Sequence, residues 1–230
     1  MSTAVQRVQG PSNVARRGDL EAFLMGPVKD RLASVCGKLL PPDRLIRVAL
    51  ASWSQSPKLQ ESTRESFMLS LLRAGQLGLD PSGTLGQAYL VPYTDRKRGV
   101  TECQLIIGYR GLIELARRSG QISSLDAHPV YAKDRFKYKL GTDPGVEHEP
   151  YEGADDPGPL THAYAVAVFK DGGCQFRVLP RRKIDAIKLS TQSRGDWGPW
   201  KDHYDEMATK TALRALSKYL PMSVEFRTAV

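Results

Sequence analysis

The sequence lacks the short motifs that mark nucleotide, metal or acyl-transfer chemistry. Gly-Lys occurs once, at Gly37-Lys38, and the upstream glycine position that a phosphate-cradling loop needs holds Leu32. No two glycines flank a single residue, so a dinucleotide fingerprint is excluded. The three cysteines, Cys36, Cys103 and Cys174, form no CxxC pair, and the four histidines show no HxxxH spacing. Reduced thiols and no structural zinc are expected. The densest acidic pair, Asp155-Asp156, lies in a Pro/Gly-rich stretch with no accompanying Lys, unlike the gathered carboxylates of a two-metal nuclease. No serine sits in a Gly-x-Ser-x-Gly elbow. These absences predict a protein that is not an enzyme and takes no cofactor. No apolar run approaches the roughly 18 residues of a membrane span. The polar N-terminus, with Arg7, Arg16 and Arg17, has no apolar stretch of a secretory signal. A soluble, cytoplasmic protein without a membrane partner is the expectation.

What is present is a surplus of positive charge. Among 230 residues, 33 Lys and Arg face 25 Asp and Glu, a net charge of +8. That excess favours a polyanionic partner, usually nucleic acid, although composition alone does not choose one. Hydrophobic residues make up 41% of the chain, enough to bury a core.

Along the chain, residues 1–18 are polar and Arg-bearing and are expected to be disordered, leaving 19–230 as one core domain. Asp19 can cap a short helix through Met25, and Pro27 can open the next. Arg44 to Trp53 reads as helix, with Leu45, Val48 and Ala49 on one face. A capping box at Ser62-x-x-Glu65 predicts a further helix carrying Phe67, Met68, Leu71 and Leu72 and ending near Gly75 or Gly78.

Leu85 to Val91 and Glu102 to Ile107 form a predicted hairpin with its tip at Asp95 to Gly99, followed by an amphipathic helix from Tyr109 to Ser119. Its core face is assigned to Tyr109, Leu112, Ile113 and Ala116, with Gly120 as the residue that ends it. Arg135 to Leu140 alternates basic and apolar residues as a strand does. Glu147 to Pro159 reads as loop, and Thr161 to Phe169 with Cys174 to Leu179 as a second hairpin across Asp171-Gly172. Helices are predicted over Arg181 to Leu189 and, as one continuous run, Trp200 to Tyr219. The class is α+β: a central antiparallel β-sheet of hairpins with an embedded helix, flanked by N-terminal and C-terminal helices.

Basic side chains fall on defined faces. Lys210, Arg214 and Lys218, at i, i+4 and i+8, form one ridge. The bland alternative is a solvated face whose cations suit the helix C-terminus and whose Lys210 pairs with Glu206. Arg110 and Arg117 lie off the core stripe of their helix, again as either a contact or a solvated face. Arg181-Arg182-Lys183 puts positive charge at the positive end of a helix, which is unfavourable unless an anion is near. Tyr93, Tyr109, Trp197 and Trp200 sit close to these charges, as stacking platforms do, though such rings are more often core. Gly108-Tyr-Arg-Gly111 matches the short GxxG loop of KH domains, a weak signal.

Two stretches carry a resemblance of greater specificity. Gly78-Leu-Asp-Pro-Ser-Gly-Thr-Leu-Gly-Gln-Ala-Tyr-Leu-Val-Pro-Tyr93 and Gln104-Leu-Ile-Ile-Gly-Tyr-Arg-Gly-Leu-Ile-Glu-Leu-Ala-Arg-Arg-Ser-Gly-Gln121 resemble the signature of the RecT family of recombination proteins. Gly198-Pro-Trp200, Glu206-Met207, Lys210 to Arg214 and Lys218 to Pro221 are similar to that family's C-terminal core, and the likeness runs from about Asp19 to Phe226.

The resemblance implies an ATP-independent single-strand annealing protein of phage or prophage recombination. Such a protein forms a ring or helical filament on single-stranded and annealed duplex DNA. It works beside a RecE-type 5′-to-3′ exonuclease and a host single-strand binding protein. The residues assigned to DNA are Arg110, Arg117, Arg181, Arg182, Ser190, Gln192, Arg194, Trp200, Lys210, Thr211, Arg214 and Lys218. Family members often continue into a variable, partly acidic tail, whereas this sequence ends at Val230. The basic strand Arg135 to Lys139 departs from the family pattern, and no role is carried onto it. The competing reading is a basic oligomeric phage structural protein, or a general nucleic-acid-binding protein, without annealing activity.

Overall fold

A computed structural model describes residues 17–191, 194–221 and 223, and it divides the chain into two compact units that meet in sequence at Gly111 and Leu112. Antiparallel sheets are flanked by N-terminal and C-terminal helices, the α+β arrangement expected. The strands are distributed over three separate sheets. No helix among the described residues is long and apolar enough to cross a membrane.

The first unit begins with helices α1 (Arg17–Met25), α2 (Pro27–Val35), α3 (Pro42–Gln55) and the four-residue α4 (Pro57–Gln60). α1 starts two residues before Asp19, and segment 1–16 lies outside the described residues. Prolines stand at the first turns of α2, α3 and α4, where a missing N–H costs no helical hydrogen bond. α5 (Arg64–Leu77) differs from the sequence reading at its start. Its cap is Thr63, whose Oγ1 accepts the Ser66 N–H at 3.3 Å. Ser62 is instead buried in a β-bridge to Thr101, which removes it from capping. The C-terminus closes as expected, with Gly78 in the left-handed region and the Leu79 N–H reaching back to the Ala74 carbonyl. Leu24, Leu32, Leu45, Ile46, Phe67 and Leu71 form the centre of this unit's core.

Strands β1 (Ala88–Asp95) and β2 (Val100–Ile107) pair antiparallel from Ala88↔Ile107 to Asp95↔Val100. Helix α6 (Tyr109–Arg118) follows directly. A small hub fixes where the hairpin begins. Asp80, buried in the loop after α5, accepts from Arg44 at 3.2 Å and from the Ser82 N–H at 2.9 Å, while its own N–H donates to the Gln87 side chain. The Gln87 carbonyl accepts the Gly108 N–H at 2.8 Å. A methyl group on Gly108 would overlap the Gly86 carbonyl oxygen, and one on Gly111 would overlap that of Gln87. The GxxG pattern is thus a backbone contact, and its glycines serve packing.

In the second unit, β3 (Ile122–Tyr131), β6 (Leu160–Phe169) and β7 (Cys174–Pro180) form a three-stranded sheet in the order β3-β6-β7. β4 (Arg135–Lys139) and β5 (Gly145–Glu149) make a separate hairpin. Glu147 to Glu149, read from sequence as loop, is therefore strand: the acidic side chains of Glu147 and Glu149 are exposed, and Val146 and His148 turn inward. Helices α7 (Arg181–Ser190), α8 (Pro199–Asp202) and α9 (Tyr204–Ser217) complete the unit. The expected single terminal helix is broken at His203, whose φ of −137° and ψ of 56° are not helical. In α6 Gly111, Leu115 and Ala116 are buried, whereas Tyr109, Leu112 and Ile113 are only half-buried.

The two faces of β6 carry different chemistry. Ala163, Ala165 and Ala167 are fully buried and alternate with His162, Tyr164 and Val166. α9 packs on this sheet through Ala208, Ala212 and Leu216, small side chains that permit a close approach. On the other face Tyr164 meets His148 and Phe136 of the β4–β5 hairpin at ring separations of 5.5 Å. His148 Nε2 lies 3.1 Å from Asp134, with side-chain exposures of 8% and 2%. Asp134 also accepts the N–H groups of Tyr131 and Tyr151.

Two outcomes follow. Gly108→Ala or Gly111→Ala should destabilise the protein by about 1–3 kcal/mol in urea unfolding, the usual cost of overpacking. Gly37→Ala, where the added methyl meets open space, is the near-neutral control. Burial opposes ionisation of Asp134, but the Tyr131 and Tyr151 amides and His148 outweigh it and hold the carboxyl below its usual range. A depressed carboxyl stabilises the fold above the unfolded value of about 3.9 and loses that contribution as pH falls through the folded value. Asp134→Asn should therefore lower stability at neutral pH and flatten the acid limb of a stability-against-pH curve.

Candidate nucleic-acid interface

The basic ridge of the last helix is built as its spacing predicts. Ala208, Ala212, Leu213, Leu216 and Ser217 bury one side of α9, which leaves Lys210 half-buried and Arg214 and Lys218 exposed on the other. Lys218 is the residue at which the helix ends. Glu206 does not pair with Lys210; its carboxylate lies 3.8 Å from His203. Among the described residues none of these three cations forms an ion pair. They stand as three uncompensated charges on one helix face, as phosphate contacts require. Thr211 sits among them, but its hydroxyl already donates to the Met207 carbonyl at 2.6 Å, which leaves it only as an acceptor.

α7 presents a different arrangement. Its first turn carries Arg181, Arg182 and Lys183 with no acidic residue and no side-chain cap, so the helix dipole and the charges repel. Arg181 is tied down: its guanidinium donates to the Leu160 carbonyl at 3.3 Å and faces Asp185 at 3.6 Å. Arg182 is exposed. Arg181, Asp185 and Lys188, spaced i, i+4 and i+7, surround Tyr204. The two cations lie 6.0 and 5.6 Å from the ring centroid, and the Tyr204 hydroxyl donates to Asp185 at 2.6 Å. Burial and the Asp185 carboxylate push the Tyr204 phenol far up, so it stays a neutral donor.

The other assigned residues divide. Ser190 is exposed, with its hydroxyl donated to the Ile187 carbonyl. Arg194 is exposed at a φ of 50°, a left-handed turn position unusual outside glycine. Gln192 lies outside the described residues. Trp200 is only 6% exposed and packs edge-on to Tyr204 at 6.0 Å. Trp197, 64% exposed, is the open ring of that segment. Arg117 is exposed on α6, whereas its neighbour Arg118 pairs with Glu114 at 3.0 Å. In the first unit Arg110 is exposed and lies against Tyr109, with Nε 3.3 Å from the phenol oxygen.

One cation escaped the sequence reading. Arg177, on β7, lies 3.7 Å above the ring of Tyr219 just past α9, and that ring is itself largely exposed. A single arginine within a strand gives no periodic signal, so only the fold reveals this pair. Among the described residues no group of three or more His, Cys, Asp or Glu side chains is placed to hold a metal ion.

Comparison with known proteins bears on the whole chain. The family model described as the RecT family matches residues 43–230. The chain is 43% identical over 232 aligned positions to Protein RecT of Escherichia coli (strain K12), covering 98% of this chain and 85% of that protein. It is 28% identical over 230 positions to the uncharacterized protein YqaK of Bacillus subtilis (strain 168), covering 98% of this chain and 76% of that one. With a family model spanning most of its length and a near full-length relative, this chain belongs to the RecT family.

Proposed function

We propose that this chain binds single-stranded DNA and anneals complementary strands without ATP, acting as a DNA-bound homo-oligomer in homologous recombination. The observation that carries this reading is the outward face of α9, where Lys210, Arg214 and Lys218 stand unpaired among the described residues of a RecT-family chain. Annealing is downhill, since stacking contributes about 1.4 kcal/mol per base-pair step, so no nucleotide hydrolysis is needed. What slows it is repulsion between phosphates, folding of each strand on itself, and the search for register. Cations spaced along a surface lower the first two barriers by neutralising phosphate and holding the strand extended. Self-assembly repeats that surface along the strand.

In this reading Arg110, Arg117, Arg182 and Arg194 add phosphate contacts, Arg181 acts chiefly by anchoring α7, and Trp200 is structural. Single strands for pairing come from a RecE-type 5′-to-3′ exonuclease, and a host single-strand binding protein is the competing occupant. The protein itself performs no bond-making step and holds no cofactor.

Mixing two dye-labelled complementary oligonucleotides with the protein, in the absence of ATP, should accelerate pairing well beyond the spontaneous rate. A basic structural protein would leave that rate unchanged. Lys210→Ala and Arg214→Ala should each weaken single-strand binding for all sequences and reduce the log–log salt slope by about one. A folded variant with an unchanged slope removes that residue from the interface.

A further inference from the structure

The β1–β2 hairpin leaves one face open that the phosphate ridge does not explain. Tyr89, Val91 and Tyr93 alternate along β1, and Ile106 and Gln104 stand directly opposite Tyr89 and Val91 on β2. Four of these five are large apolar or aromatic side chains, and all four are exposed; Tyr93 reaches 61%. The hairpin's other face, with Ala88, Leu90, Cys103 and Leu105, is the one that packs on the core of the unit. An antiparallel hairpin that faces solvent should carry polar residues there. This one carries rings.

The charges around the strip select its occupant. Two acids lie on this face, and both are engaged. Asp95 accepts the Lys97 and Arg98 N–H groups at 2.8 and 3.3 Å, and Glu102 pairs with Arg98 at 3.2 Å. Arg96 and Lys97 at the tip are exposed and form no ion pair among the described residues. At the opposite end the stem of Arg110 runs beside the Tyr89 hydroxyl, since a methyl on Gly86 would meet both. Cations thus flank an aromatic strip whose own acids, Asp95 and the Glu102 opposite Tyr93, already have partners, the arrangement that fits a strand of phosphates with bases between them.

A protein β-strand is a poor fit, because the hairpin's long edges are obstructed. On β2 the outward backbone groups are engaged at Thr101 and Cys103: the Thr101 carbonyl accepts from the Thr63 N–H, and Cys103 bonds both Ser66 and Ser70 side chains. On β1 the residue opposite Cys103 is Pro92. The Cys103 amide and carbonyl both point away from β1, so the Pro92 nitrogen points to the free edge, where it offers no donor.

We propose that this outward face is a base-stacking surface for single-stranded DNA, with Tyr93 as its most accessible ring and Tyr89 as a second. At about 3.3 Å per residue the two are about 13 Å apart along β1, so they take different bases. Tyr89 also packs over Gly83 and Gly108, which gives it a structural duty that Tyr93 lacks. This surface rests on the single-strand reading above and adds contact with bases to contact with phosphates. Sheet aromatics hold bases in this way without reading sequence.

The test compares a polythymidine oligonucleotide with an abasic strand of equal length. Tyr93→Ala should bind polythymidine roughly 5- to 150-fold more weakly than the wild type, with an unchanged salt slope, and bind the abasic strand equally well. Tyr93→Phe should match the wild type on both. Tyr93→Trp should show fluorescence quenching on polythymidine beyond that of the three native tryptophans in the wild type, and no such excess on the abasic strand, which reads stacking at this position even if Tyr93→Ala folds poorly. Equal losses on both strands, no loss on either, or a Tyr93→Trp without that excess quenching would overturn the stacking surface while leaving annealing intact. A wild-type protein that binds neither strand would overturn the single-strand reading, and this proposal with it.

Discussion

The geometry of the first unit depends on one place where backbone meets backbone. The loop from Leu79 to Gln87 and the turn from Ile107 to Gly111 approach so closely that Gly108 and Gly111 have no room for a side chain. Gln87 ties the two together through its carbonyl to Gly108 and its side chain to Asp80. Asp80 extends the tie to Arg44 on α3. The register of β1 against β2, the start of α6 and the position of Arg110 all descend from this contact. Residues that match the short GxxG loop of KH domains in one dimension are, in three, the fastening of a hairpin.

In the second unit the equivalent constraint is the thinness of a side-chain layer. Three alanines on β6 and two on α9 allow the helix to lie close to the sheet, and the whole basic ridge is then forced outward. Larger residues there would lift α9 and turn Lys210 away. The sheet's opposite face carries rings and histidines, among them the buried Asp134–His148 pair. One unit therefore obtains its cationic surface by packing small residues, while the other displays aromatic ones by leaving a sheet face uncovered.

Much of this was readable from residue order alone. The hairpins, with Asp171-Gly172 at one turn and the tip after Asp95 at the other, follow from local turn chemistry. So do the proline-opened helices and the glycine end of α5. The α9 ridge followed from helical period. What failed depended on tertiary context. Ser62 offered the better capping pattern but was drawn into a bridge with Thr101, so the cap moved to Thr63. The helix break at His203 has no glycine or proline of its own to announce it. β5 is too short and too acidic to stand out, and is a strand because β4 pairs with it. Trp200 and Tyr93 could not be told apart by type; only the fold shows that one ring is 6% and the other 61% exposed. Arg177 came into view only through its ring partner.

The obstructed edges of the β1–β2 hairpin have a consequence for a protein proposed to crowd together in many copies. Exposed aromatic hairpins are hazardous at high local concentration, because an open edge templates further strands and the growth resembles amyloid. Here Pro92 interrupts one rim and the Ser66 and Ser70 hydroxyls cover the other, so rings can be displayed without inviting cross-β stacking. At this hairpin, two copies brought together would meet through side chains and not through added strands, a contact that parts again readily.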